Sequence, residues 1–187
     1  MCSPFRAFGF GPPRPAALKV FMAKRIANRL LILIVLLLLV GCDHASKGVA
    51  KAEFGAGGAL EVVRGLISLC YVENTDIAFN LLRSIPEAIR FPALLVSGAV
   101  AVLGLLFLVF RTRWSVSVPL VALLLVTAGA IGNYLDRVCR GYVVDFVQLP
   151  HWPVFNIADV YITVGGMVLA CAVLVRKKSA PPVGPTQ

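Results

Sequence analysis

The chain has 187 residues, of which 59% are hydrophobic and only 14% charged, and its mean hydropathy is +0.87. That balance excludes an ordinary water-soluble domain and points to a lipid bilayer. The formal charge of +9 raises nucleic acid as a partner, but the basic residues lie in short runs between apolar segments, so no nucleic-acid partner is expected. Five cysteines without paired spacing indicate neither a disulfide framework nor a zinc site, and are read as small apolar residues. The two histidines, His44 and His151, have no second plausible ligand beside them in sequence, so no metal or other cofactor is expected.

Residues 1–25 read as a flexible N-terminal extension carrying Arg6, Arg14, Lys19, Lys24 and Arg25. A first apolar run, Leu30–Cys42, has only 13 residues before Asp43. With the basic lead before it and "LVGC" at its end, it matches a lipoprotein signal peptide as well as a membrane span. If the helix runs on through Asp43 to about Gly48, with Arg29 snorkelling, it reaches the roughly 20 residues that a crossing needs. A segment of about 49–88 follows, in which "GAGGA" and the alternating "LEVVRGLISLCYVEN" suggest a small strand-rich cap. Phe91–Phe110 and Trp114–Leu135 are uncharged over 20 and 22 residues, and Val160–Val175 extends back to Phe155 if Asp159 is tolerated. The linker from Arg137 to Pro153 is short and aromatic, and residues 178–187 read as a disordered tail.

The lead before the first span, the segment between the second and third, and the stretch after the fourth carry 11 basic and no acidic residues, whereas all 9 acids lie in or beside the other two segments. The positive-inside rule then predicts four transmembrane helices with both termini cytoplasmic, an all-α membrane protein with its cap in the periplasm. That even number requires the first run to span, and argues against a secreted lipoprotein cut before Cys42.

Ionisable groups at membrane depth are costly, and each is a functional candidate. Here they gather at one end of the spans: Asp43, His44, Ser46 and Lys47 on the first; Asn133, Asp136 and Arg137 on the third; Asn156 and Asp159 on the fourth; Asp145 in the linker between. Residues three or four apart share a helix face, so three helices each turn a polar stripe the same way. Asp43 with Lys47, and Asp136 with Arg137, read as neutralised pairs that hold a bundle together. Asp145 and Asp159 have no basic residue within four positions. Two such carboxylates in an apolar site can share a proton, one serving as base and one as acid, as in aspartic proteases. Spacing alone leaves that open against bundle contacts, and against a proton or ion transporter using the same acids. A transporter would need polar groups deeper in the spans, where Thr127 and Thr163 are the best candidates.

Five ordered blocks, "DHASK" (43–47), "ENTDIAFN" (73–80), "GAIGNYLDR" (129–137), "GYVVDF" (141–146) and "FNIAD" (155–159), together resemble the bacterial lipoprotein signal peptidases, signal peptidase II. The resemblance covers about residues 25–177, a peptidase domain set at 26–177. It implies an intramembrane aspartic endopeptidase of the inner membrane, without cofactor or metal. Such enzymes cleave prolipoproteins just before a diacylglyceryl-modified Cys, work among membrane lipid, and are blocked by globomycin-type inhibitors. By position it implies catalytic Asp145 and Asp159, with Asp43, Lys47, Asn74, Gly129, Asn133, Arg137 and Asn156 as substrate-binding or supporting residues. His44, where the family usually has Gln, the Asp76–Ile77 pair, and a short linker between the two catalytic acids depart from its pattern.

Overall fold

The structure is a computed structural model that describes residues 15–75, 86–111 and 117–178. Four helices dominate: α1 (Pro15–Phe54), α2 (Glu87–Arg111), α3 (Val118–Arg140) and α4 (Ile157–Lys178), each long and apolar enough to cross a membrane. At 1.5 Å rise per residue, α1 is about 60 Å long, twice the hydrocarbon thickness of about 30 Å. It passes through Asp43 without a break, as the polar stripe requires. α1 begins at Pro15, upstream of the first apolar run. Asp76 and Ile77 lie outside the described residues.

α3 is the most buried helix and the one around which the others pack. Its contacts set the directions: Gly98 of α2 meets Tyr134, Gly165 of α4 meets Ala122, and Gly129 meets Ala158 and Ile162, so α2 and α4 run antiparallel to α3. One half of the bundle core is apolar, formed by Ile32, Leu36, Val109, Leu120, Leu124 and Ala128. In the other half polar groups take over at the same core-facing positions, with Asp43 and Lys47 on α1 and Asn133 and Asp136 on α3. The outward faces are apolar, with Leu37, Leu38, Val96, Val100, Val173 and Leu174 all exposed, as lipid contact demands.

The expectation of an all-α chain with strands confined to the first cap is corrected in one respect. A three-stranded antiparallel sheet, ordered β1 (Leu60–Val63), β2 (Ile67–Asn74), β3 (Val143–Gln148), takes its third strand from the linker before α4. Gly65, at φ 69°, makes the turn between β1 and β2. Gly141, at φ 83°, caps α3 by donating its N–H to the Arg137 carbonyl, and the chain can then turn directly into β3. Tyr71, Glu73 and Tyr142 form a hydrogen-bonded group that reaches Lys51 Nζ at 3.4 Å, tying the sheet to the end of α1.

Glycines carry the α3–α4 contact, because close approach of membrane helices needs small residues. A Cβ at Gly129 would collide with the Ala158 carbonyl and lie 2.8 Å from Ile162 Cγ1, whereas one at Gly104 would meet nothing within 4 Å. Gly129→Ala is expected to destabilise the fold by about 1–3 kcal/mol in a detergent unfolding titration, with Gly104→Ala unchanged.

Candidate active site

The site lies where α1, α3, the start of α4 and β3 converge. Its foundation is an ion cluster. Lys47 Nζ, fully buried, lies 2.7 Å from Asp43 Oδ2 and 2.9 Å from Asp136 Oδ2, and donates to Asn133 Oδ1 at 3.1 Å. Arg140 Nη1 adds a 2.7 Å pair to Asp136 Oδ1. A Lys extended along its own helix reaches a carboxylate one turn back, which is why Asp43 and Lys47 pair at i,i+4. Gly132 makes room for this, because a Cβ there would stand 2.5 Å from Asp43 Oδ2.

The pairing of Asp136 with Arg137 is corrected. Asp136 turns to Lys47 and Arg140, a full turn along its own helix, whereas Arg137 Nη1 donates to the Asn133 carbonyl at 3.1 Å. Adjacent helical residues point about 100° apart and cannot face each other, so i,i+4 spacing rather than adjacency identifies the partner. The Arg137 guanidinium instead stands within electrostatic reach of Asp159, Asp145 and Asp136.

Asp145 and Asp159 are held differently. Asp145 is 2% exposed on β3, and strand alternation sets it on the face that carries Asn74 of β2. Asn74 Nδ2 donates to Asp145 Oδ2 at 2.8 Å, and Asn156 Nδ2 donates to Asp145 Oδ1 at 2.6 Å. A bridge between Val147 and Phe155 folds the linker back, so the 14 positions separating the two acids become a close return. Asp159 in the first turn of α4 accepts from Asn133 Nδ2 at 2.8 Å and from the Asn156 N–H at 3.2 Å. Asn156 Oδ1 accepts the Asp159 N–H at 3.0 Å, a reciprocal cap that fixes the helix start. Among the described residues neither acid has a basic group within ion-pair distance.

Asn156 is the hub. Fully buried, it donates to Asp145, to Asn133 Oδ1 and to the Val144 carbonyl, and receives the N–H of Asp159. Burial pushes the Asp145 carboxyl up to about 6; the Asn74 bond opposes this, the charge of Asp159 adds to it, and the Asn156 bond and Lys47 oppose it. The resulting pair of carboxylates, one poised to hold a proton near neutrality, can perform acid–base work on a water between them.

All nine expected site residues are therefore placed. Asp43, Lys47, Asn74, Asn133, Asp145, Asn156 and Asp159 join one hydrogen-bonded network, Arg137 borders it, and Gly129 sits one turn away in the α3–α4 contact. Sequence reading gave Asp136 a structural role but missed Arg140 as its partner, although the i,i+4 spacing of 136 and 140 carried the signal. Burial, and then the nearby Asp145 charge, push the Cys70 thiol up, which keeps it neutral. Removing Lys47 would leave two buried carboxylates facing each other. Lys47→Ala is expected to cost about 3–5 kcal/mol in an unfolding titration, and Lys51→Ala, at an exposed contact, under about 1 kcal/mol.

Residues 34–175 match the family model for signal peptidase (SPase) II. The lipoprotein signal peptidase of Syntrophomonas wolfei is 37% identical over 144 residues, 76% of this chain and 91% of the relative. That of Streptococcus thermophilus is 36% identical over 138 residues, covering 73% of this chain and 87% of the relative. The fold is similar to that of a bacterial membrane enzyme solved by the in meso method at 2.3 Å, with a TM-score of 0.70 at 23% identity, covering 83% of this chain and 94% of that one. The chain belongs to the signal peptidase II family.

Proposed function

We propose that this protein is an aspartic endopeptidase of the bacterial inner membrane that removes signal peptides from diacylglyceryl-modified prolipoproteins, cutting just before the lipidated Cys. The observation that carries the aspartic mechanism is the sorting of the site's four acids. Asp43 and Asp136 are neutralised by Lys47 and Arg140, whereas Asp145 and Asp159 are bound by amides. A carboxylate locked to a lysine cannot change protonation state cheaply. One held by amide donors can, and catalysis requires that change.

On this reading ionised Asp159 takes a proton from water as the water oxygen attacks the scissile carbonyl, and protonated Asp145 gives its proton to the carbonyl oxygen. The resulting gem-diol collapses with cleavage of the C–N bond. Asp159 returns its proton to the departing amine, and a hydroxyl proton goes back to Asp145. Arg137 borders the pair and would bind a backbone carbonyl or glyceryl ester oxygen of the substrate. Acyl chains on the substrate Cys would anchor it in the bilayer at the depth of the pair, so lipid partitioning supplies part of the positioning. The charge pattern favours both termini in the cytoplasm and the sheet at the periplasmic face. Globomycin-type inhibitors would compete for the same site.

The run "LVGC" does not mark a cleavage site in this reading. Cys42 lies inside continuous α1, immediately before Asp43, so cleavage there would detach residues 15–41 from the bundle that α1 helps to build. A transporter is disfavoured by the deeper polar groups: the Thr127 hydroxyl donates to the Leu123 carbonyl of its own helix, and Thr163 is exposed on the outward surface.

Two outcomes are expected. In cells lacking their own signal peptidase II and supplied with a tagged prolipoprotein, Asp145→Asn and Asp159→Asn should each slow maturation by at least about 10²–10⁴-fold. Normal maturation in either would refute the pair. In detergent with purified enzyme, kcat/KM should fall as pH rises through about 6, because Asp145 then loses the proton it must donate. Substrate excludes water from the site, so the corresponding limb for kcat should lie at higher pH.

A further inference from the structure

His44 borders the network and has no part in the mechanism or in the ion cluster described above. His44 follows Asp43 on α1, with its side chain about one-third exposed. Its two ring nitrogens face two different buried carboxylates: Nδ1 is 3.7 Å from Asp43 Oδ2 and Nε2 is 3.8 Å from Asp136 Oδ1. These distances are within ion-pair range but longer than a hydrogen bond, and Nδ1 is enclosed without a hydrogen-bond partner.

Those two carboxylates perform equivalent tasks. Asp43 Oδ1 accepts the backbone N–H of Ala158 at 2.9 Å, and Ala158 immediately precedes Asp159. Asp136 Oδ2 accepts the backbone N–H of Val144 at 3.3 Å, and Val144 immediately precedes Asp145. Each member of the proposed catalytic pair is thus held through the amide just before it by a carboxylate from another element. His44 faces both holders at once. The other charged groups at this point are Lys47, which meets both carboxylates, and Arg140, which meets Asp136. At 3.7 and 3.8 Å the ring nitrogens stand between the two carboxylates and set how closely they can approach.

We propose that His44 is a positioning residue, bridging Asp43 and Asp136 and so fixing the separation of Asp159 and Asp145. The role rests on the aspartic reading above and acts on the turnover step, because His44 touches the two holders and not the pair itself. A change of a few tenths of an ångström between the carboxylates would be felt in the rate and not in the binding of a lipid-anchored substrate.

The test uses purified full-length enzyme in lipid nanodiscs with a diacylglyceryl-modified peptide. His44→Phe keeps a ring in place without nitrogens, and His44→Gln reaches one carboxylate but not both. Expected kcat values follow the order wild type, Gln, Phe, with His44→Phe about 10-fold below wild type at unchanged KM. His44→Ala should show the same loss and regain activity on addition of imidazole. If His44→Phe does not fold, a lowered kcat at unchanged KM in His44→Gln, with imidazole rescue of His44→Ala, supports the role in its place. Wild-type kcat in His44→Phe, or in His44→Gln where His44→Phe does not fold, would overturn the proposal. So would a loss confined to KM, or absence of imidazole rescue. Asp145→Asn, assayed alongside, separates the two levels: if it is inactive while His44→Phe behaves as wild type, only the role of His44 fails. If Asp145→Asn turns over normally, the aspartic reading fails and this inference with it.

Discussion

Lys47 stands fully buried between Asp43 and Asp136, 2.7 and 2.9 Å from their oxygens, and the polar end of the molecule is built around that contact. The desolvation cost of three charges is met only because each also finds further donors or acceptors. Asp43 takes the Ala158 N–H, Asp136 takes Arg140 and the Val144 N–H, and Lys47 gives a bond to Asn133. One cluster therefore joins α1 to α3, to the first turn of α4 and to β3. No apolar contact would specify this register, since lipid competes equally for apolar faces.

The cluster also explains why two further acids can remain uncompensated by salt bridges. With Lys47 and Arg140 engaged by Asp43 and Asp136, Asp145 and Asp159 are bound by amide donors from Asn74, Asn133 and Asn156, with Arg137 at the border. Amides orient a carboxylate without holding it to one protonation state, and burial raises the affinity of Asp145 for a proton. Structural acids and proposed catalytic acids thus lie in a single network, yet differ in what binds them. The same separation accounts for the position of the sheet: β2 supplies Asn74 and β3 supplies Asp145, so the two strands contribute chemistry as well as cover.

Much of this is legible from residue spacing. Three spans follow from apolar length and the first from the charge pattern, and the shared polar end follows from Asp43 with Lys47, Asn133 with Asp136, and Asn156 with Asp159, because 3.6-residue periodicity is local. Those positions lie on three separate helices, and their junction needs only that the helices pack at one depth. Less is legible where long-range pairing decides the outcome. Nothing within residues 143–148 announces that β3 pairs with β2 some 70 positions earlier, since the aromatic residues of the linker suggest only a membrane interface. Adjacency in sequence suggests Arg137 as the partner of Asp136, although the helical period favours Arg140. His44 sits beside Asp43 in sequence, but its second carboxylate neighbour, Asp136, emerges only when α1 is laid beside α3.

The central claim is that Asp145 exchanges its proton near neutrality. Infrared difference spectroscopy of the protonated-carboxyl stretch, in nanodiscs, reads this directly. The expected result is a carbonyl band present at acid pH that disappears as pH rises through about 6 and is missing from Asp145→Asn. A band that persists unchanged in Asp145→Asn, or that vanishes only in Asp43→Asn or Asp136→Asn, would contradict it.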